Sequence, residues 1–325
     1  MYSVVVPTYN RAQTLAATLD SVLMQDVDFS YEVIVVDNNS SDETREVVYC
    51  FERKAPGAFR YLFEGTQGAS AARNAGIRVA KGEIIAFTDD DIITQPNWLR
   101  SLAAAYKAHP DAWSVGGRII LELPLQCPMW FDPMSPVLTE LLGLMDRGDE
   151  TVKIAYPDTV WGGNFSMTRE CLSRVGFFNT RLGVGFLSSE DNEMCHRIQR
   201  AGGAVYYCGQ AAVIHLVPRA RMTKHFFRKR VYWDGRSDAI VFPQDPRRPA
   251  WKKAASIGLD TLKKWAHALG CYMTGDTSQA FECELKARRR FGYLYQTIIA
   301  GMERPQDVGS QRTSLTRSRI PRRMP

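Results

Sequence analysis

Residues 89–91 are three consecutive aspartates at the end of the apolar stretch Ile84-Ile85-Ala86-Phe87. Adjacent carboxylates repel one another, and gathering them at the end of a buried run calls for a counter-charge. A hard divalent ion such as Mg²⁺ is the favoured candidate, because it takes one or two carboxylates together with phosphate oxygens. Helix capping is the competing reading, since acidic residues near a helix start complement its dipole. Thr94, Gln95 and Pro96 already stand where the cap and first turn of the next helix belong, so three further carboxylates exceed what capping needs. Two other stretches have chemical potential. Gly68-Ala69-Ser70-Ala71-Ala72 is small enough to let backbone approach a ligand, and it delivers Arg73 and Asn74. Ser188-Ser189-Glu190-Asp191 opens a helix carrying Met194 and Ile198 and stopping at Gly202-Gly203, a rigid mount for two carboxylates as well as a good cap.

The elements that must hold these residues alternate between strand and helix. Ser3–Val6 is β-branched, and Asn10 is placed to cap a helix with Leu15, Leu19, Val22 and Leu23 on one face. Glu32–Val36 reads as a strand buried on both faces, and Ser41 or Asp42 caps a helix that turns Val47, Val48 and Phe51 inward. Ile84–Phe87 is another buried strand, and Pro96 opens a helix. This alternation predicts a mostly parallel sheet with helices on both faces, whose ligands bind at the carboxyl ends of the strands. From about Gly116 the pattern loosens, with Pro124, Pro128, Pro133 and Pro136 predicting a long loop or lid over Gly116–Asp158. Beyond Arg221 the chain reads as helical, with amphipathic faces at Leu262, Trp265, Ala266, Leu269 and at Phe291, Leu294, Tyr295, Ile298. The stretch from Glu303 has no periodicity and reads as a disordered basic tail.

Composition narrows the class. The 325 residues are 45% apolar and 23% charged, enough for a large soluble core. Seven dispersed cysteines without a Cys-x-x-Cys pair indicate neither a disulfide framework nor a zinc knuckle, and fit a reducing compartment. No run approaches the ~20 apolar residues of a membrane span and no leader is evident, so the expectation is a cytoplasmic protein. The net charge of +6 concentrates in the C-terminal third, around Arg219–Arg230 and in the tail, where phosphates, an anionic membrane surface or nucleic acid are candidate partners. The segment His225–Trp233 mixes cations with aromatics, and membrane-surface attachment is the preferred reading of it. Nucleic acid is disfavoured, because no recognition module accompanies the charge.

Taken together, Val4-Val5-Val6-Pro7-Thr8-Tyr9-Asn10-Arg11, Val33–Asp42, Gly68–Gly76, Thr88-Asp89-Asp90-Asp91, Trp161–Met167 and Ser189–Arg197 resemble, in order and spacing, the family 2 glycosyltransferases. The resemblance covers roughly residues 1–230 and is carried by the combination of motifs. It implies the GT-A nucleotide-diphospho-sugar transferase fold, an α/β architecture with a mostly parallel central sheet flanked by helices, here with a C-terminal helical extension. The implied organisation is a nucleotide-sugar-binding subdomain over 1–115, an acceptor and catalytic subdomain with a lid loop over 116–220, a basic amphipathic helical extension over 221–302 and the tail over 303–325.

The resemblance also assigns roles. Pro7, Thr8, Tyr9, Asn10, Arg11, Asp37, Asn39, Arg73, Asn74, Asp89 and Asp90 would hold the nucleoside-diphosphate sugar, with a turn residue the competing and less favoured reading of Asp37. Asp91, with Asp89 and His215, would hold Mg²⁺ or Mn²⁺, with Asp91 in direct contact, and the ion would neutralise the departing diphosphate. His215 alone reads as readily as a hydrogen-bonded structural residue. Trp161, Gly162, Gly163, Asn164 and Glu190 would meet the donor sugar or the acceptor, and Asp191 would be the base of an inverting transfer. The expected activity is transfer to a hydroxyl of a glycan or lipid-linked acceptor in surface polysaccharide or glycoconjugate assembly, with the protein cytoplasmic or peripheral at the inner face of the membrane. A sugar nucleotidyltransferase is disfavoured for want of a glycine-rich N-terminal loop. A non-catalytic sugar-nucleotide-binding or scaffold protein is the alternative from another class.

Overall fold

The computed structural model describes residues 1–243, 250–273 and 277–302; the disordered tail expected over 303–325 lies outside the described residues. The first half runs β1 (Tyr2–Thr8), α1 (Ala12–Leu23), β2 (Tyr31–Asp37), α2 (Thr44–Lys54), β3 (Phe59–Phe63), α3 (Ala69–Val79), β4 (Ile84–Thr88), β5 (Ile92–Thr94), α4 (Trp98–Ala108) and β6 (Ala112–Glu122). There follow α5 (Pro136–Leu141), β7 (Thr151–Ile154), β8 (Asn164–Thr168), α6 (Arg169–Val175), α7 (Glu190–Arg200), β9 (Ala204–Leu216), α8 (Lys224–Val241), α9 (Ala250–Met273) and α10 (Thr277–Met302).

The strands form one nine-stranded sheet in the order β3-β2-β1-β4-β8-β6-β9-β5, with β7 also on β9. The strands β1, β2, β3, β4, β6 and β9 run one way, and β5, β7 and β8 the other. Val4, Val5, Val6 and Val33–Val36 are fully buried because helices cover both faces, and this accounts for unbroken rather than alternating apolar runs. Each such side chain contributes roughly 1.5–3 kcal/mol on leaving water. A second core joins Phe131, Leu138 and Leu142 of the proline-rich segment to Phe227 and Val231 of α8 and to Phe281 and Leu285 of α10.

The antiparallel members of the sheet are what assemble the site. Because β8 runs against β4, its first residue Asn164 pairs with the last residue of β4, Thr88. Trp161-Gly162-Gly163 therefore arrives beside the aspartates that follow β4. Antiparallel pairing of β5 with β9 sets Ile92 opposite His215, and Leu216 N–H donates to the Asp91 carbonyl (2.9 Å). The aspartate turn is thus pinned to β9, a strand 124 residues farther along at His215.

Three local expectations change. The pattern does not loosen at Gly116, because β6 continues to Glu122 as an interior strand between β8 and β9. Its two glycines are packing requirements: a Cβ on Gly116 would collide with Val160, and one on Gly117 with the Ala211 carbonyl. Asn10 does not cap α1; its backbone is left-handed (φ 51°) and the first-turn amide of Ala12 is taken by Asp42 Oδ2 (3.0 Å) from the following loop. Finally, the amphipathic faces at the C-terminus point outward, leaving Leu262 68%, Leu269 62% and Phe291 47% exposed.

Candidate active site

The carboxyl ends of β1 and β4, the turn before β8, the start of α7 and the cleft-facing sides of α8 and α10 enclose a cavity of about 880 Å³. Pro7, Thr8, Tyr9, Arg11, Arg73, Asp89, Asp90, Asp91, Trp161, Gly162, Gly163, Glu190, Asp191 and His215 all line it.

One end is built around Asp91. Its buried Oδ2 accepts from Arg11 Nη1 and from Arg221 Nη2 (3.1 Å), and lies 3.4 Å from His215 Nε2. Arg221 Nη1 also donates to His215 Nε2 (3.0 Å), so the imidazole presents a lone pair and not a proton at this point. Burial raises the carboxyl pKa, but the Arg11 and Arg221 guanidiniums outweigh it and hold Asp91 well below the ordinary carboxylate range. Two electron-pair donors, one oxygen and one nitrogen, thus converge on one cationic group. Their 3.4 Å separation is close to the roughly 3 Å between neighbouring ligands of a divalent ion bound at about 2.1–2.2 Å, so Asp91 and His215 fit such an ion. The lid segment leaves room for the ring: a Cβ on Gly143, whose φ is +100°, would sit 3.0 Å from His215 Nδ1.

Asp90 is also buried, 3.7 Å from Arg11. Burial, with Asp91 and Asp89 adding repulsion, pushes its pKa up to about 7 against the opposing pull of Arg11. It is therefore partly protonated near neutrality, while its neighbour Asp91 is fully ionised.

The other end is built around Arg73, buried on α3. Its guanidinium donates to Asp89 Oδ1 (2.9 Å) and to Glu190 Oε1, and these two carboxylates with Asp191 raise its pKa against the desolvation that opposes them. Glu190 and Asp191 stand at the start of α7. Ser189 there is left-handed (φ 70°) and makes no side-chain cap, and Ser188 Oγ donates instead to Asp234 of α8 (2.8 Å), so the capping role expected of this stretch is not taken up. Asp191 accepts from Gly162 N–H through Oδ2 (2.6 Å) and from Asn192 N–H through Oδ1 (2.8 Å). Burial, reinforced by Glu190, raises its pKa to about 6 even though these amides and Arg73 favour the ion. Such a carboxylate is ionised at neutral pH and basic enough to take a proton.

Gly162 and Gly163 separate the two ends. A Cβ on Gly162 would lie 3.1 Å from Arg73 Nη2 and 3.2 Å from Asp191 Oδ2, and one on Gly163 3.4 Å from Asp89 Oδ2. The turn thus lies flat between the acidic cluster of β4 and the acidic pair of α7.

Five of the residues singled out in the sequence do not line the cavity. Asp37 is buried and engaged by Ser40 N–H (2.8 Å) and Tyr61 Oη (2.7 Å), and Asn10 and Asn39 are exposed turn residues with positive φ. Asn74 is committed to both backbone groups of Phe178 (2.9 Å each). Asn164 is fully buried, accepting from Trp98 Nε1 (2.8 Å) and donating to the Arg118 and Ala211 carbonyls (3.0 and 2.7 Å), a knot that joins β8 to α4, β6 and β9. In the other direction, Asn38, Arg221, Arg230 and Arg289 line the cavity without having been singled out as site residues. For Arg221 there was a signal, its place in the basic cluster six residues after His215.

Residues 3–122 match the family model for glycosyl transferase family 2. These residues therefore form a glycosyl transferase family 2 domain. Among its relatives, the glycosyltransferase is 29% identical over 255 residues to glucosyl-dolichyl phosphate glucuronosyltransferase of Haloferax volcanii, covering 74% of this chain and 78% of that one. It is 27% identical to chondroitin synthase of Escherichia coli over 62% of this chain, and spans only 32% of that longer protein. In fold, the glycosyltransferase is similar to the mannosyltransferase PcManGT of Pyrobaculum calidifontis, solved with GDP-Man and Mn²⁺, with a TM-score of 0.58 at 21% identity over 93% of this chain and 87% of that one. The GT-A architecture and the helical C-terminal region agree with the expectation from sequence.

Proposed function

We propose that this glycosyltransferase moves a sugar, with inversion and with the help of a divalent metal, from a nucleoside diphosphate to a hydroxyl of a glycan or lipid-linked acceptor, in surface polysaccharide or glycoconjugate assembly. The single observation that carries the reading is the flat Gly162-Gly163 turn, which sets the aspartate turn Asp89–Asp91 against a separate basic carboxylate at Asp191. The relatives named above, one acting on a glucosyl-dolichyl phosphate and one a chondroitin synthase, support an acceptor that is lipid-linked or polymeric.

In this reading the Pro7–Tyr9 segment receives the nucleoside, with the exposed Tyr9 ring as a stacking face. Asp91 and His215 would hold the metal, which when bound supplies Lewis-acid charge to the diphosphate oxygens. A carboxylate paired with an imidazole suits Mn²⁺ better than Mg²⁺. Arg11 and Arg221, which neutralise Asp91 in the structure, are within reach to take over phosphate oxygens. Arg73, locked between Asp89 and Glu190, positions both acidic groups. Asp191 accepts the proton of the acceptor hydroxyl as its oxygen bonds to the anomeric carbon, while the carbon–oxygen bond to the diphosphate breaks and its electron pair leaves with the phosphate.

Thermal-shift screening of UDP-, GDP- and dTDP-sugars with Mn²⁺ tests the donor assignment. The true donor at ~100 times its Kd should add about 2.7 kcal/mol of stability. Donor hydrolysis, and transfer to candidate acceptors, should then follow with that donor. Binding without turnover, unchanged by Asp191→Asn, would establish the non-catalytic binding protein instead.

The membrane part of the proposal moves to a new element. The apolar side of His225–Trp233 is folded inward, although His225, Lys229 and Arg230 stay exposed: Phe227 and Val231 are in the second core, Arg228 pairs with Glu284 through two bonds (2.7 and 2.9 Å), and Lys229 Nζ lies 3.5 Å from the Phe186 ring centroid. An exposed apolar stripe lies instead on α9, where Leu259, Leu262, Leu269 and Met273 are 57%, 68%, 62% and 82% exposed on one side of the helix. Lys252 and Lys263 flank this stripe, and the pairing of apolar side chains with cations matches an anionic bilayer surface. Among the described residues no helix is long and apolar enough to cross a membrane. The protein should co-sediment with phosphatidylglycerol vesicles but not with pure phosphatidylcholine, and Leu262→Glu with Leu269→Glu should weaken this at least about tenfold. A concentration-dependent dimer that ignores vesicles would assign the stripe to a second copy.

A further inference from the structure

On the C-terminal helices, α9 and α10 bring together three metal-ligating side chains that the proposed transfer does not use. His267 and Cys271 stand one turn apart on α9, and Cys283 reaches them from α10. His267 Nε2 lies 4.0 Å from Cys271 Sγ, the two sulfurs are 3.8 Å apart, and all three ligand atoms lie within 4.8 Å of one another. Around a tetrahedral zinc ion, with Zn–S near 2.3 Å and Zn–N near 2.0 Å, two sulfurs are separated by about 3.8 Å and a sulfur and nitrogen by about 3.6 Å. The sulfurs therefore already stand at coordination distance, and the imidazole needs only a small rotation of an exposed side chain.

The surroundings favour a soft cation. Both cysteines are buried in a small cluster with Ala268 and Ala280, whose size lets the helix backbones approach. His267 is exposed, which gives an entry path and leaves the fourth coordination position open to water. Neither carboxylate nor phosphate is needed, in contrast with the oxygen-rich site at Asp91. The position is also mechanically useful. Cys283 precedes Glu284, which binds Tyr272 of α9 (2.9 Å) and Arg228 of α8, so a link at Cys283 acts on a junction of three helices.

We propose that His267, Cys271 and Cys283 form a binding site for zinc or another thiophilic d¹⁰ cation that clamps α9 onto α10. Binding forms two metal–thiolate bonds and one metal–imidazole bond, with a water completing the tetrahedron, and releases the two thiol protons to solvent. The clamp fixes the orientation of α9 and hence of the exposed apolar stripe on its opposite side.

Cobalt titration of the reduced, metal-stripped full-length protein tests this. A thiolate-to-cobalt charge-transfer band in the near ultraviolet and intense visible bands of tetrahedral Co²⁺ should rise together and disappear when zinc is added. Both should be lost in Cys271→Ser with Cys283→Ser, and persist in Cys50→Ser with Cys127→Ser. Asp91→Asn should leave them unchanged, because an oxygen–nitrogen site produces no thiolate band. His267→Ala alters only an exposed side chain and should fold; the proposal requires it to weaken cobalt binding at least about tenfold. Absence of the thiolate band, its survival in the double serine variant, or a Cys271–Cys283 disulfide in the protein as isolated would overturn the site.

Discussion

Asp91→Asn is expected to abolish metal-dependent turnover, by about a thousandfold or more, and Asp90→Asn to cost far less. The difference follows from their surroundings, because both side chains are buried and belong to one turn. Asp91 is the oxygen on which Arg11 and Arg221 converge beside His215, and the two guanidiniums hold its pKa low. An amide there removes the charge that gathers a cation and leaves two arginines facing a neutral group. Removing one partner of a buried ion pair costs roughly 3–5 kcal/mol; with Arg11 and Arg221 partly exposed, the lower part of that range or less is expected here. Asp90 is the opposite case. Its folded-state pKa is raised to about 7, so its ionisation opposes folding progressively between its ordinary value of 3.8 and pH 7, and the penalty is complete above that. At pH 8 an asparagine escapes that penalty, and Asp90→Asn should melt no lower than wild type without metal. Turnover across a Mn²⁺ series and metal-free melting curves check both statements. Loss of turnover in Asp90→Asn with retention in Asp91→Asn would transfer the ion to the middle carboxylate.

How much of this was legible in the sequence depends on the range of the interaction. The aspartate turn, the buried strands and the acidic pair at the start of α7 announce themselves locally, through runs of one residue type and spacings of a few positions. What the sequence hides is partner choice. Asn164 lies in a motif of site residues, yet it packs against Trp98 and bonds to carbonyls of two other strands, contacts fixed only when β8 enters the sheet antiparallel. Asn74 sits beside the cavity-lining Arg73, but successive positions of a helix point in different directions, and its amide turns to Phe178. Arg221 shows in the sequence only as one of a basic cluster, and its partner is hidden: the β5–β9 pairing brings it to Asp91, 130 residues away. Strand β6 was obscured by its own packing, since two glycines that admit the Val160 side chain and the Ala211 carbonyl also dilute the strand pattern.

Asp191→Asn should lower kcat by about 10²–10⁴-fold while leaving donor binding intact, and should remove the acid limb of the pH–rate profile. The sign follows from which form acts. A base works deprotonated, and burial with Glu190 raises the Asp191 pKa to about 6, so wild-type activity should be full above that pH and fall about tenfold per pH unit below it. At an ordinary carboxylate pKa the same residue would stay ionised further into acid, but would be a poorer proton acceptor at neutral pH. The turn before β8 therefore has two effects on one atom. Gly162 donates its N–H to Asp191 Oδ2, which favours the ion, and packs against the side chain whose burial favours the acid. Gly162→Ala would press a methyl against both Arg73 and Asp191, so it should displace the acid limb as well as lower the rate, whereas Asp191→Asn should leave a slow rate without that limb. Measuring kcat/KM against pH for the three proteins distinguishes a base at Asp191 from a residue that only shapes the cleft: an unchanged acid limb in Asp191→Asn would assign the base elsewhere.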